Sequence, residues 1–337
     1  MTWFERLTGF AELPYAQTQE RLEVVGARLR SKVNGASWGI GRLELPTLAE
    51  LRARGAPLLA EVPGALRAEL AVGDVRAFHS APASAGALFQ VASQFNLLEM
   101  MDETVAPEDG VTRYERDRTQ GPACAMAAAA ALLYRNYLVP VGTQVGQTEG
   151  RQLDALADLA AALGLPESGQ WQMRNGYALG TRAGVAEVGR RLAGASEAER
   201  DAYRATLRIG LHWDVEVTDA AAKGATVSQA FCSALPVSYG DPDIPKEAWA
   251  PFATLVLEAA YEATLWAGVL NAARGASRTV FLTLLGGGAF GNELGWIEGA
   301  LTRAAARFRG AGLTLVVVSF RAPDARLRQL VETLGRG

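Results

Sequence analysis

The chain has 337 residues, 49% hydrophobic and 20% charged, with 33 basic against 36 acidic residues and a net charge of −3. That is enough apolar material for one large domain or two smaller ones in a soluble globular protein. No basic block offers to neutralise a phosphate backbone, and none of the three lysines (Lys32, Lys223, Lys246) stands in a G-K-[ST] context, which argues against a nucleic-acid partner and a P-loop nucleotide site.

Residues 1–65 read as a helical extension packed on the core. TQERLEVVGARLRSKV (18–33) and LAELRARGAPLLAEV (48–62) carry apolar residues at three- and four-residue spacing on either side of NGASWGIG. Residues 66–325 read as the main domain. β-like runs at 67–79 and 86–100 lead through an acidic, turn-rich stretch (102–122) into an alanine-rich helix (123–138), and 143–208 reads as a helical insertion. Strands follow at 210–219 and 225–240, then a long helix at 246–274, a strand at 280–285, a helix at 293–309 and a β-branched strand at 313–320. Strands alternating with helices predict an α/β fold of three layers, a mostly parallel mixed sheet covered on both faces.

Cys124 and Cys232 lie in apolar stretches without C-x-x-C spacing, so they read as buried reduced thiols, and the protein as one of a reducing cytoplasm. His79 and His212 are too few for a three-histidine zinc site and read as structural; no metal and no cofactor is expected. The apolar run 123–134 is too short to span ~30 Å of hydrocarbon, and no membrane partner is expected. GASWG (35–39) spells a nucleophile elbow but lacks the strand before and the helix after it, and reads as a loop.

TVFLTLLGGGAFGNELGW (279–296) places Gly286, Gly288 and Gly291 as G-x-G-x-x-G after a strand. A dinucleotide fingerprint opens the first βαβ unit and is followed by an acidic residue about 20 positions on. Here the loop opens the last unit, and Arg321-Ala322-Pro323 follow the next strand. The glycines still suit an anion, because backbone N–H groups without Cβ can approach it at a helix N-terminus.

Four segments in chain order carry a resemblance: V-G-D-V (72–75), F-Q-V-A-S-Q-F-N (89–96), D-R-T-Q-G-P (117–122) and G-G-G-A-F-G (286–291). Together they resemble the macrodomain family of ADP-ribose-binding modules, and QFNLLE, DRTQGPACA and FCSALPVSY look like its divergent MavL-type members, which remove ADP-ribose from arginine of ubiquitin. Ser93-Gln94-Phe95 in place of Asn-Ala-Ala, and Thr119-Gln120-Gly121 in place of a glycine run, depart from the family pattern.

The resemblance implies a macrodomain-like fold and an ADP-ribosyl hydrolase whose partner is ADP-ribose or an ADP-ribosylated protein, ubiquitin among them. The alternatives are a non-catalytic ADP-ribose module and a nicotinamide oxidoreductase. It implies Asp74 at the adenine amino group, Asn96 and Phe290 at the distal ribose, and Gly286, Gly287, Gly288, Ala289, Phe290 and Gly291 around the diphosphate. Asn292 extends that loop, either to the ligand or as a helix cap, and Thr119, Gln120 and Gly121 aim a second helix N-terminus at the same anion. Hydrolysis needs a carboxylate to position or deprotonate water, and the acidic stretch offers Glu99 and Asp117 first, with Asp102 and Asp109 behind them. Such a stretch would also attract a guanidinium.

Overall fold

The β-branched and aromatic runs form one seven-stranded sheet in a computed structural model of the chain, which describes residues 1–221 and 223–336. Its strands are β1 (Arg42–Glu44), β2 (Arg67–Val72), β3 (Leu88–Ala92), β4 (Gly210–Glu216), β5 (Thr226–Cys232), β6 (Thr279–Leu282) and β7 (Thr314–Ser319). They lie in the order β1-β4-β5-β3-β6-β7-β2. From β5 to β2 all pairs are parallel; β4 and β1 extend the β5 side antiparallel.

The helices around it include α1 (Leu48–Gly55), α2 (Val75–Ser80), α3 (Gln120–Ala127), α4 (Arg182–Gly194), α5 (Glu197–Thr206), α6 (Lys246–Ala273), α7 (Leu294–Arg307) and α8 (Ala325–Gly335). β3 shows why there are three layers, since consecutive side chains must point to opposite faces. Phe89 stacks on His79 of α2 at 3.7 Å, while Gln90 bonds the Thr264 hydroxyl of α6 at 3.0 Å. α2 packs with α3 on the first face, and α6 gathers α1, α4, α5 and α7 on the second. By length and composition α6, rather than the 123–134 run, could cross a bilayer, but 83% of its apolar window is buried inside the protein.

Several elements differ from the sequence reading. The helix predicted over 18–33 is a short helix, Tyr15–Glu20, followed by a hairpin of Leu22–Val25 and Arg28–Ser31, with Ser37–Gly39 as third strand. Val25 pairs with Arg28 across Gly26-Ala27, and Gly26 has φ +61. Two β-branched residues before a left-handed glycine make a two-residue turn more favourable than a further helical turn. Ser37 therefore lies in a strand, its hydroxyl accepting from Arg28 Nε at 3.0 Å. Residues 1–65 also do more than cover the core, since β1 adds an edge to the sheet with Leu43 opposite His212.

The alanine-rich helix breaks at Ala128, resumes over Ala129–Leu133 and ends in a π turn, Tyr134–Leu138. The insertion holds a hairpin, Trp171–Arg174 with Tyr177–Gly180, besides its helices. A second apolar cluster joins Trp3, Phe4, Phe10 and Leu29 to Leu98, Met100 and Tyr114, so the N-terminal segment backs the loop that follows β3.

Candidate functional site

β3 and β6 are neighbours whose onward connections leave in opposite directions, toward β4 on one side and β7 on the other. A crevice forms at the carboxyl ends of strands where the winding reverses. A cavity of about 530 Å³ opens there, and a second of about 500 Å³ adjoins it toward Asp74. The two share the wall made by Asp117 to Gln120, Thr283 and Phe320.

The glycine loop forms the floor of the larger cavity. Gly286 and Gly291 have φ +74 and +71, and a Cβ on them would collide with Ala234 and with the Ser238 hydroxyl, so backbone conformation and packing alone require both. Gly288 is different: a Cβ there would meet open space. Among the described residues the N–H groups of Gly288, Ala289 and Phe290 have no acceptor in the protein. Loop N–H groups left without an acceptor at a cavity wall ahead of helix α7 suit an anion. Gly287 is exposed but stands outside the lining residues. Asn292 neither caps α7 nor lines the cavity; its amide donates to Leu235 O at 2.8 Å and holds the loop down, while Glu293 takes the cap position.

The start of α3 forms the opposite wall. Gln120 bonds the edge of β3 at two points, accepting from Ala92 N and donating to Gln90 O, each at 2.8 Å. Gly121 lies so close beneath that a Cβ would collide with Ala92 O. Gln120 is therefore the tether that draws the helix end to the strand end, and Gly121 is what permits the approach. Thr119 is the N-cap residue with its hydroxyl unused as a cap, and Asp117 Oδ1 accepts from Thr119 N at 2.8 Å. Asp117 lines both cavities, and its Oδ2 has no hydrogen bond among the described residues.

Glu99 reaches the same cavity from below. After β3 the chain folds back: Asn96 Oδ1 accepts from Leu98 N at 3.0 Å, Gln94 clamps Met100 through its N–H at 2.8 Å and its carbonyl at 3.1 Å, and Leu97 adopts φ +64. This returns Glu99 beneath the strand end, 2% exposed, with neither carboxylate oxygen hydrogen-bonded among the described residues. Its nearest cation is Arg135 Nη2, 3.5 Å from Oε1. Burial pushes the Glu99 carboxyl up to about 8, against the opposing pull of the Arg135 charge and the Tyr114 hydroxyl.

Other expected residues sit elsewhere. Asn96 does not face the ribose position: it is buried, its Nδ2 donates to Gln152 Oε1 at 2.7 Å, and the turn consumes its other bond. Asp102 and Asp109 do not line either cavity. Asp102 accepts from Thr104 N at 2.9 Å and Asp109 from Ala106 N at 2.9 Å, so both close turns. Asp74 lines the second cavity and caps α2, accepting from Arg76 N at 2.9 Å. His79 and His212 are buried, and burial lowers both, His79 to about 4.

Of the aromatic wall, the sequence reading names only Phe290. Phe290 meets Tyr177 of the insertion at 5.3 Å and Tyr239 at 5.6 Å between ring centroids. Phe320, just past β7, is 70% exposed at the junction of the two cavities. An aromatic face at that junction can stack on a flat ring. Arg118 and Arg321 stand exposed at the rim. Among the described residues no group of three or more His, Cys, Asp or Glu side chains could hold a metal ion. The site thus combines an anion cradle, an aromatic platform and two carboxyls in two adjoining cavities.

The sequence matches no protein-family model and no curated protein. Among solved structures, the chain is similar to a poly(ADP-ribose) glycohydrolase from Deinococcus radiodurans in complex with ADP-ribose. The two are 11% identical, with 87% of this chain and 93% of that one covered and a TM-score of 0.42. It is also similar to a poly(ADP-ribose) glycohydrolase from Thermomonospora curvata, at 14% identity with 96% of each chain covered and a TM-score of 0.38.

Proposed function

We propose that the chain binds ADP-ribose and hydrolyses the bond joining its distal ribose to a modified protein. The observation that carries this reading is the adjoining pair of cavities: Phe320 at their junction with Asp74 in the second, N–H groups at 288–290 without an acceptor among the described residues in the first, and two carboxyls, Asp117 and Glu99, in the wall of the first. An adenine on Phe320 with its amino group toward Asp74, a diphosphate between the two helix starts, and a distal ribose against Phe290 would fill that order of chemistry. Asp117, with a free oxygen in the cavity, is the carboxylate that would take a proton from the attacking water.

We assign the MavL-type specificity, arginine linkage with ubiquitin as one target, to the same site. Burial and then the charges of Asp102, Asp117 and Glu103 raise the Tyr239 hydroxyl, and of these carboxylates Asp117 lines the same cavity as Tyr239. A carboxylate beside aromatic faces attracts a guanidinium. The test is incubation with arginine-ADP-ribosylated protein, ubiquitin included. Release of ADP-ribose is expected, and it should fall sharply in Asp117→Ala with Glu99→Ala; no release by the wild type, or undiminished release by the double variant, overturns the reading.

A further inference from the structure

The π turn behind the cavity floor carries Arg135, a fully buried arginine that the groove itself does not touch. Its guanidinium is fixed on three sides: Nε donates to Leu97 O at 3.0 Å, Nη1 meets His212 Nδ1 at 3.4 Å, and Cζ lies over the Phe231 ring, 3.9 Å from its centroid. The remaining nitrogen, Nη2, has no hydrogen bond among the described residues and faces Glu99 Oε1 at 3.5 Å. As a purely structural pair this is poor, because both partners are desolvated and neither is satisfied. The turn between them is also strained, since a leucine at φ +64 occupies a conformation that disfavours a side chain. Arg135 holds the carbonyl of that very leucine, and the fold-back that Leu97 makes brings Glu99 into the cavity wall. Unsatisfied buried polar groups and local strain in one place call for a partner that arrives later.

We propose that Arg135 is a positioning residue that presents the Glu99 carboxyl to the cavity, where Glu99 acts as the acid for the leaving atom. The assignment rests on the hydrolase reading above. In the reaction the bond from the ribose C1″ to the leaving atom breaks, its electron pair stays with that atom, and the atom takes the proton from Glu99. The water oxygen bonds to C1″ and passes its proton to Asp117; solvent then takes that proton from Asp117 and reprotonates Glu99. The titratable and charged groups around Glu99 are Arg135 from the π turn, Tyr114 from the turn Thr112–Arg116, Cys124 from α3, His212 behind Arg135, and Asp117 in the same cavity. Of these, Arg135 supplies the positive charge that draws the proton off Glu99, and His212 is held neutral by burial and by that same charge.

The experiment measures initial rates on arginine-ADP-ribosylated protein at pH values on both sides of about 8, the Glu99 value, together with calorimetric titration of ADP-ribose into each variant. Glu99→Gln should bind ADP-ribose like the wild type and turn over roughly 10²–10⁴-fold slower. The wild-type rate should fall on the alkaline side. Arg135→Met should move that limb upward by about 1 pH unit or more, because the charge that favoured ionisation is gone. Arg135→Lys should keep the limb and lose about tenfold in kcat, since one ammonium cannot hold Leu97 O and face Glu99 together. An unmoved limb in Arg135→Met, or a wild-type kcat in Arg135→Lys, overturns the positioning role; should Arg135→Met not fold, the lysine variant alone decides. A wild type that releases no ADP-ribose overturns the hydrolase reading and this assignment together, whereas an active wild type with unchanged variants overturns only this assignment.

Discussion

Two buried glutamates on opposite sides of the sheet have opposite surroundings. Glu262 of α6, with a fully buried side chain, receives Arg52 Nε at 2.6 Å, Arg303 Nη1 at 3.3 Å and Trp266 Nε1 at 3.3 Å, and Arg307 Nε stands 3.3 Å away. Burial would raise its carboxyl, but the arginines outweigh that and hold it below the usual carboxylate range. Glu99 is buried as deeply, with one arginine at 3.5 Å and no hydrogen bond to its carboxylate. A carboxylate enclosed by donors fastens α1, α6 and α7 together. One left without donors at a cavity wall is available to a ligand, at some expense in stability.

The contrast can be broken by mutation, and the largest effect should be catalytic. Glu99→Gln should abolish most turnover without lowering stability. Because the folded-state value lies above the ordinary 4.5, the wild type loses stability as pH rises from about 4.5 to about 8 and no further beyond. Glu99→Gln should therefore be the more stable protein at alkaline pH, by a few kcal/mol at most, as read by urea unfolding. A variant that is less stable at every pH would make Glu99 a structural residue.

Glu262→Gln should do the reverse, destabilising by about 3–5 kcal/mol at neutral pH because three arginines lose their counter-charge. That difference should shrink as pH falls through the acid range, where Glu262 itself takes up a proton. ADP-ribose affinity at a temperature where the variant is folded should not change.

Two smaller effects sharpen the account of the groove. Phe320→Ala removes an exposed side chain, so stability should move by less than about 0.5 kcal/mol, while ADP-ribose affinity should weaken by roughly 1–3 kcal/mol, the worth of a stacked base. Gly288→Ala meets no protein atom and should fold normally, yet lose about tenfold in affinity if the diphosphate lies against that backbone. Unchanged calorimetric titrations would remove the platform and the cradle from the site.

Much of this was legible in the sequence, for identifiable reasons. The strands at 280–285 and 313–320 and the glycine loop between them announce themselves, because a parallel central strand is apolar on both faces and a strand-to-helix turn of this tightness needs glycine. The hairpin at 22–31 was hidden because LEVVGARLR satisfies helical spacing as well as alternation, and only Gly26 after two valines favours the turn. Asn96 misleads because β3 ends at Ala92 and not at Asn96, and the fold-back with Leu97 at φ +64 turns its amide into the loop's own bonding. Asp102 and Asp109 could not be separated from Asp117 by composition, since all three lie in one acidic stretch and only the fold decides which closes a turn and which faces the cavity. Tyr177 arrives from an insertion far away in sequence, and nothing local marks it. Phe320 could have been found: an aromatic directly after a β-branched strand, at the carboxyl edge of a parallel sheet, stands where ligands bind.

Calorimetric titration of the wild-type protein with ADP-ribose, then AMP and NAD under the same conditions, tests the central claim most directly. The account predicts saturable one-to-one binding of ADP-ribose, with AMP weaker for want of the diphosphate and distal ribose, and NAD weaker because its nicotinamide must share the distal end with Phe290 and the carboxyls. No heat with ADP-ribose, or tighter binding of NAD than of ADP-ribose, would contradict it.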